Sequence, residues 1–170
     1  MCNLKNLVIA WDLDGTLIDS SHRCSFDSDN RFDLKYWIDH CKAEFIDKDK
    51  LLPLYEVFQE FSKTGFTQIC VTARILGEDD YAYFKKHNLK FDMILHRENS
   101  QDLDSILKSK KLKDFFELNN YVPFMAYDDK EDNLKVFDNF GFRTFQAVYM
   151  NEKLKVDNYK SLTFSPKDFS

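Results

Sequence analysis

The sequence is poor in glycine and in cysteine, and both shortages exclude common functional classes. Its four glycines do not form a Gly-x-x-x-x-Gly-Lys-Ser/Thr loop, so the phosphate loop of a Walker-type kinase is absent. Its four cysteines include no Cys-x-x-Cys pair. We therefore expect reduced thiols and an intracellular protein rather than a disulfide scaffold.

Long hydrophobic runs and an excess of positive charge are also missing. No apolar run approaches membrane-spanning length and the first residues lack a signal-peptide pattern, so we expect a cytoplasmic protein with no membrane partner. The formal net charge of −5 argues against broad electrostatic binding to nucleic acid, although it allows a local basic rim around a phosphate site.

The length and composition predict one globular domain. A chain of 170 residues with 44% hydrophobic and 16% aromatic residues can bury a large core without staples. We place the domain at 1–150, with a small cap or insert at 20–50. The polar stretch 151–170 is interpreted as a C-terminal tail with no functional role.

One stretch contains the strongest chemical pattern. The apolar run 7–11 predicts a buried strand, and it ends abruptly in Asp12-Leu13-Asp14-Gly15-Thr16. In an extended chain Asp12 and Asp14 point the same way, and Gly15 permits a sharp turn. Carboxylates at the end of a buried strand are costly unless they are paired or bound to a cation. The pattern therefore predicts a Mg²⁺ site and a carboxylate acting as nucleophile or acid/base.

Two simpler explanations of this stretch fit less well. Asp-Gly is ordinary turn chemistry, and a calcium-binding loop also begins Asp-x-Asp. An EF-hand loop, however, requires Glu at its twelfth residue and follows a helix. Counted from Asp12, the twelfth residue is Arg23, and the preceding segment resembles a strand.

Strand and helix patterns alternate along the rest of the chain, which predicts an α/β fold. The predicted helices cover 34–45, 50–63, 78–88, 102–116 and 133–140, and the later predicted strands cover 66–72, 91–95, 122–127 and 144–148. In an open α/β sheet, ligands bind at the carboxyl ends of the strands. Thr72 and Arg74 lie at one such end, and Asp128 and Asp129 follow another directly.

These residues together resemble the motifs of the haloacid-dehalogenase-like (HAD-like) phosphohydrolases. Asp12-Leu13-Asp14-Gly15-Thr16 resembles the first motif, Thr72 the second, a Lys on the helix 102–116 the third, and Asp128-Asp129 the fourth. The resemblance implies a Rossmann-like three-layer sandwich. Its sheet is mostly parallel, its nucleophile strand is central, and its cap is small or absent.

The resemblance also implies a role for each residue. Asp12 attacks phosphorus to form an aspartyl-phosphate, while Asp14 protonates the leaving group and then activates water. Mg²⁺ is held by Asp12, by the backbone carbonyl of Asp14 and by Asp128. Asp129 is either a further ligand or part of the outer shell, and Thr72 binds a phosphoryl oxygen.

The third motif leaves a choice among several lysines. Lys108 fits best, because Asp104 lies one helical turn earlier and can hold its ammonium group. Lys110 and Lys111 are the alternatives. The chosen lysine neutralises the nucleophile and the phosphoryl group.

Three arginines make the resemblance closer. Arg23, Arg74 and Arg97, with the Asp104–Lys108 pair, resemble the 3′-phosphatase half of the phage polynucleotide kinase-phosphatases. This implies that the three arginines bind substrate, and that the enzyme is phage-encoded and acts in the host cell. The kinase motif of that family is not found in the sequence.

We therefore expect a Mg²⁺-dependent phosphomonoesterase that removes 3′-phosphates from polynucleotide ends. Two alternatives stay open. One is a nucleotidase acting on free (deoxy)nucleoside monophosphates, which the acidic net charge favours. The other is a non-catalytic module that binds nucleic-acid ends. The expected partner is a phosphorylated nucleic-acid end or a nucleotide, and the sequence gives no indication of an oligomeric state.

Overall fold

The computed structural model describes residues 4–29, 32–98 and 100–156. Within these ranges, strands and helices alternate along most of the chain. The strands are β1 (Leu7–Trp11), β2 (Ile18–Asp19), β3 (Lys50–Leu51), β4 (Thr67–Ile75), β5 (Met93–Arg97), β6 (Val122–Asp128) and β7 (Arg143–Gln146). The helices are α1 (Leu34–Asp39), α2 (Ala43–Ile46), α3 (Leu54–Phe61), α4 (Glu78–Lys86), α5 (Asp104–Leu118), α6 (Glu131–Asn139) and α7 (Ala147–Val156).

Five strands form one parallel sheet in the order β5-β4-β1-β6-β7. β1 lies at the centre, where Trp11 pairs with Cys70 of β4 and with Tyr127 of β6. All of its residues are apolar, as expected for a strand that is covered on both faces. The predicted α/β fold, with a parallel sheet and a central strand leading to Asp12, is confirmed.

Side chains of β1 alternate between two hydrophobic cores, one on each face of the sheet. Ile9 and Trp11 belong to the core that α3, α4 and α7 cover. Val8 and Ala10 belong to the core that α5 and α6 cover. The sheet therefore lies between two helical layers, in the expected three-layer sandwich.

Residues 20–49 form a small insert between β2 and β3. These two strands pair in an antiparallel ribbon that closes the base of the insert. The single helix predicted over 34–45 is wrong, because the chain bends between α1 and α2. At the bend Lys42 has extended backbone angles (φ −126°, ψ 155°), and the carbonyl of His40 accepts a hydrogen bond from Arg23 (3.4 Å).

Two other predicted elements give way at one end to an element of the other type. The helix predicted over 50–63 begins only at Leu54, because Lys50 and Leu51 pair with β2 instead. The strand predicted over 144–148 ends at Gln146, where α7 begins without a connecting loop.

Helix α7 crosses the boundary that the sequence placed after residue 150. The side chain of Asn151 accepts a hydrogen bond from the Leu54 amide (2.8 Å) and donates one to the Thr16 carbonyl (3.0 Å). Because these bonds are buried and join distant segments, α7 belongs to the domain. The remainder of the predicted tail, from 157 onward, lies outside the described residues.

Three of the four cysteines lie in the described part of the chain. Cys24, Cys41 and Cys70 have free thiols, and Cys2 lies outside the described residues. In the part of the chain that the structure describes, no helix has both the length and the apolar character that crossing a bilayer requires.

The bonds of Asn151 lead to a stability prediction. Asn151→Ala leaves the Leu54 amide and the Thr16 carbonyl buried without this partner, so we expect the free energy of unfolding to fall by about 2 kcal/mol. Urea denaturation measures this loss. The exposed neighbour Glu152 provides the control, because Glu152→Ala should change stability by less than about 0.5 kcal/mol. Equal losses in the two variants would contradict the role given to Asn151.

Candidate active site

The two strands at the centre of the sheet end in carboxylates that lie side by side. Trp11 pairs with Tyr127, so the residues that follow, Asp12 and Asp128, emerge together at the carboxyl edge. The amide of Asp12 donates to the Tyr127 carbonyl (3.0 Å), which fixes this register beyond the end of β1. Both aspartates are buried.

A buried lysine joins these two carboxylates. Nζ of Lys108 lies 2.6 Å from Oδ1 of Asp12 and 2.6 Å from Oδ2 of Asp128. Burial lowers the pKa of Lys108, but the two carboxylates outweigh this and raise its pKa above the ordinary value, so the ammonium group stays charged. The alternatives Lys110 and Lys111 pair instead with Asp102 and Glu98 near the surface.

Asp12, Asp128 and Asp129 together can hold a metal ion. One carboxylate oxygen from each lies within 4.8 Å of the others. Three carboxylates face the buried charge of Lys108, and the exposed Lys130 also acts on Asp129 and Asp12, so negative charge remains in excess. Burial, followed by the charge of Asp128, raises the pKa of Asp129 to about 6. Burial also raises the pKa of Asp12 well above its ordinary value. Carboxylate oxygens suit Mg²⁺, so the donor set fits the expected ion.

The carboxylate of Asp14 does not belong to this group, although its predicted metal contact was through the backbone carbonyl. Its side chain accepts hydrogen bonds from Arg74 and from the hydroxyl of Ser20. Burial raises the pKa of Asp14, but the Arg74 charge outweighs this and holds the pKa below its ordinary value. Asp14 is therefore ionised at neutral pH.

The guanidinium of Arg74 binds three carboxylates of the protein. Its Nε donates to Asp14 (3.0 Å), Nη1 donates to Asp80 (2.8 Å), and Nη2 contacts both Asp14 and Asp49. The side chain is completely buried. The structure therefore corrects the prediction that Arg74 binds substrate directly, because its side chain is buried and four of its five N–H groups bind carboxylates of the protein.

The same correction applies to Arg23. Its Nε and Nη2 bind both oxygens of Asp49, at 2.9 and 2.7 Å, and its guanidinium stacks over the ring of Trp37 at 4.5 Å. Arg23 is fully buried within the insert. Arg23 thus supports the site from behind rather than facing a substrate.

Arg97 and Asp104 also bind groups other than those predicted. Arg97 donates to the carbonyls of Ala73, Ser100 and Asp102 and pairs with Asp104 (3.0 Å), so it fastens the segment before α5 to the end of β4. The second oxygen of Asp104 pairs with Lys130 (2.6 Å). Asp104 makes no hydrogen bond to Lys108, because the lysine extends inward between the strand ends.

Thr72 lies within β4, because the strand predicted over 66–72 continues to Ile75. It is buried near the end of β4, two residues beyond the Cys70–Trp11 pair, beside the segment that contains Asp12 and Asp14. Its hydroxyl oxygen accepts a hydrogen bond from the Arg74 amide (3.1 Å), which leaves the O–H group as a donor.

Several residues that hold the site in place lie outside the sequence motifs, and they were not predicted. Asn133 donates to Oδ1 of Asp128 (2.9 Å), Ser20 donates to Asp14, and Asp49 binds both Arg23 and Arg74. Asn133 follows Asp128 by only five residues, so the fourth motif was a usable guide to it. Asp49 stands in a run of alternating Asp and Lys and had no distinguishing local pattern.

The backbone angle at Gly15 and the close approach of Asp129 require a glycine at this position. The φ of Gly15 is +78°, and a Cβ there would lie 2.8 Å from Oδ2 of Asp129. We expect Gly15→Ala to displace Asp129 and to lower the affinity for Mg²⁺ about tenfold or more, as measured by calorimetric titration. The control is Gly65→Ala, which has a similar φ of +87° but no atom within 4 Å. Equal Mg²⁺ affinity in the two variants would contradict this account.

The raised pKa of Asp129 predicts a dependence of stability on pH. Without metal, the unfolded chain releases this proton near pH 4 and the folded protein only near pH 6, so folding stability falls as the pH rises between them. Asp129→Asn should remove up to about 2 kcal/mol of this fall. Unfolding in EDTA at pH 4 and pH 7 tests it, and parallel pH profiles for both proteins would contradict the assignment.

A family model and a phage enzyme both match most of this chain in sequence. The family model described as bacteriophage T5 5′-deoxynucleotidase matches residues 2–164. The 5′-deoxynucleotidase of Escherichia phage T5 is 31% identical over 171 aligned positions, which cover 88% of this chain and 70% of that protein.

Solved structures support the fold alone. One chain in the Pnkp1/Rnl/Hen1 RNA repair complex has a TM-score of 0.62 and 20% identity; the match covers 86% of this chain but only 43% of that one. A haloacid dehalogenase-like hydrolase from Streptococcus pneumoniae has a TM-score of 0.60 and 16% identity over 81% of this chain and 82% of its own. The protein is thus a HAD-like phosphoric monoester hydrolase, and the chain belongs to the bacteriophage T5 5′-deoxynucleotidase family.

Proposed function

We propose that this protein is a Mg²⁺-dependent 5′-deoxynucleotidase, which hydrolyses deoxynucleoside 5′-monophosphates to deoxynucleosides and phosphate. The observation that carries the proposal is the group of Asp12, Lys108 and Asp128 at the ends of the central strands, with Asp129 beside it. Membership of the phage family favours a 5′-nucleotide over other phosphate esters.

Asp12 is the proposed nucleophile. Its carboxylate attacks phosphorus in line, and the bond from phosphorus to the 5′ oxygen breaks to give an aspartyl-phosphate and the deoxynucleoside. Mg²⁺, held by Asp12, Asp128 and Asp129, would offset repulsion between the carboxylates and the phosphate dianion. Lys108 and Thr72 donate hydrogen bonds to the phosphoryl oxygens, where charge accumulates.

Asp14 is the proposed acid and base. Its ionised carboxylate suits the second step, in which it takes a proton from the water that hydrolyses the aspartyl-phosphate. In the first step Asp14 must first take up a proton from solvent, which it then passes to the leaving 5′ oxygen. It therefore has to exchange its bonds with Arg74 for one to the substrate during the cycle.

Removal of 3′-phosphates from polynucleotide ends is the second candidate. A chain of similar fold in an RNA repair complex favours it, but that likeness is at 20% identity. The resemblance that suggested this activity depended on arginines that bind substrate. Arg23 and Arg74, however, are buried in ion pairs. The net charge of −5 also favours free nucleotides over a polyanionic strand. A module that binds ends without turnover would have no need of the complete carboxylate–lysine group.

The nucleophile assignment predicts the behaviour of Asp12→Asn. This change removes the attacking oxygen, so we expect turnover to fall by at least about a thousandfold. Folding stability in EDTA at neutral pH should not fall, because burial raises the pKa of Asp12 and its ionised form is costly in the metal-free protein. Phosphate release and thermal unfolding measure the two effects. Residual activity near the wild-type rate in a pure preparation would refute the assignment.

Substrate choice is tested by phosphate release with Mg²⁺ from four compounds. These are a deoxynucleoside 5′-monophosphate, its ribonucleotide, the 3′-monophosphate, and a 3′-phosphorylated oligonucleotide, with Asp12→Asn as the blank. We expect the highest kcat/KM for the deoxynucleoside 5′-monophosphate and no release in EDTA. Preference for the oligonucleotide would establish the second candidate instead, and binding without release would favour a non-catalytic role.

A further inference from the structure

The insert exposes two aromatic rings that the proposed mechanism does not use. Phe26 is 57% exposed and Phe32 is 46% exposed. Their backbones form an isolated antiparallel bridge, and their rings meet edge to face with centroids 6.0 Å apart. Keeping large apolar rings in water is unfavourable, and exposed apolar surface beside a polar site is typical of ligand binding.

A continuous series of contacts joins these rings to the acid–base carboxylate. The ring of Phe32 lies 5.8 Å from that of Trp37, which in turn lies 5.6 Å from the guanidinium of Arg74. Arg74 binds Asp14 directly. Trp37 and Arg74 therefore connect the exposed pair to Asp14.

Buried contacts and ion pairs support the pair from below. Trp37 is buried and rests on Arg23 as well as on Arg74, and both guanidinium groups are held by Asp49. The antiparallel pairing of β2 with β3 closes the insert below them. A ligand that binds the exposed rings thus meets a preorganised surface, which reduces the entropic cost of binding.

The chemistry of the rings selects the kind of ligand. Neither Phe26 nor Phe32 offers a charge or a hydrogen-bond donor, so the pair does not suit a phosphate group. Planar heteroaromatic rings stack favourably on phenylalanine, and they do so without strong preference among bases. A nucleotide presents both parts in one molecule: a phosphate for the carboxylate–lysine group and a flat base some distance from it.

We propose that Phe26 and Phe32 form the nucleobase subsite, on which the base of the substrate stacks while its phosphate lies at Asp12. This inference rests on the proposed function, because it assumes a nucleotide as substrate. It adds that recognition of the base resides in the insert, whereas the chemistry resides at the edge of the sheet.

The test compares two substrates with the same kind of phosphate ester, of which only one has a base. These are a deoxynucleoside 5′-monophosphate and 2-deoxyribose 5-phosphate. We expect wild-type protein to prefer the nucleotide, and Phe32→Ala to reduce the ratio of the two kcat/KM values about tenfold, mainly through KM for the nucleotide. Phe26→Ala should act in the same direction.

Two further variants separate stacking from packing. Phe32→Tyr keeps the ring and should retain most of the preference, whereas Phe32→Leu keeps apolar bulk without a ring and should lose it. Leu118→Ala removes an exposed apolar side chain at the far end of α5 and should leave the ratio unchanged.

The possible failures can be told apart. An unchanged ratio in Phe32→Ala, with efficient turnover of nucleotides, would overturn the subsite and leave the nucleotidase intact. Equal losses on both substrates would mean that the rings only support the fold, and would also overturn the subsite. Wild-type protein that hydrolyses no nucleotide would refute the proposed function and the subsite with it.

Discussion

The ammonium group of Lys108, buried between the carboxylates of Asp12 and Asp128, is the interaction on which the site depends. Two carboxylates at adjacent strand ends repel each other, and burying them unpaired would cost several kcal/mol. Lys108 reaches both from α5 at 2.6 Å, so one helix stabilises the ends of two central strands. The group still has an excess of negative charge, which Asp129 increases. A divalent cation held by these carboxylates would offset this excess charge.

A second group of charges lies behind the first and has a different purpose. Arg74 binds Asp14, Asp80 and Asp49, and Asp49 in turn binds Arg23. Asp14 is partly exposed, but the other side chains of this group are buried, so Arg23 and Arg74 do not face a phosphate ion in solution. Their effect is to hold Asp14 ionised and in place, and to connect the insert to the catalytic edge. Direct contacts thus connect the insert to Asp14, the proposed acid and base.

The sequence predicted those parts of the fold and site that depend on local pattern. An apolar run ending in Asp-Leu-Asp-Gly specified both β1 and Asp12. Helical spacing favoured Lys108 through a pairing with Asp104. The structure does not contain that pairing, because Asp104 binds Arg97 and Lys130. The arginine roles were wrong, because a basic side chain looks the same in sequence whether it faces phosphate or a distant carboxylate. The partner of Arg23 is 26 residues away, at Asp49, and no local rule identifies it. The break between α1 and α2 likewise depends on a tertiary contact with Arg23.

Asn151 shows the same limit at the other end of the chain. Its polarity suggested a solvated tail, whereas its amide satisfies buried backbone groups of Thr16 and Leu54. Long-range hydrogen bonds of this kind are invisible to periodicity, and they decide where the domain ends. Motif order was informative because three of the four motifs lie at the carboxyl ends of β1, β4 and β6, which are neighbours in the parallel sheet. The remaining motif residue, Lys108, reaches the same edge from α5.

The most direct test of the account is to locate the phosphoryl group during turnover. Protein is mixed with a deoxynucleoside 5′-monophosphate and Mg²⁺, quenched in acid within milliseconds, and treated with borohydride, which reduces an aspartyl-phosphate to homoserine. Peptide mass spectrometry then identifies the modified residue. The account predicts modification at Asp12 and at no other aspartate. Steady turnover with an unmodified Asp12, or with modification at Asp14 or Asp128, would contradict it.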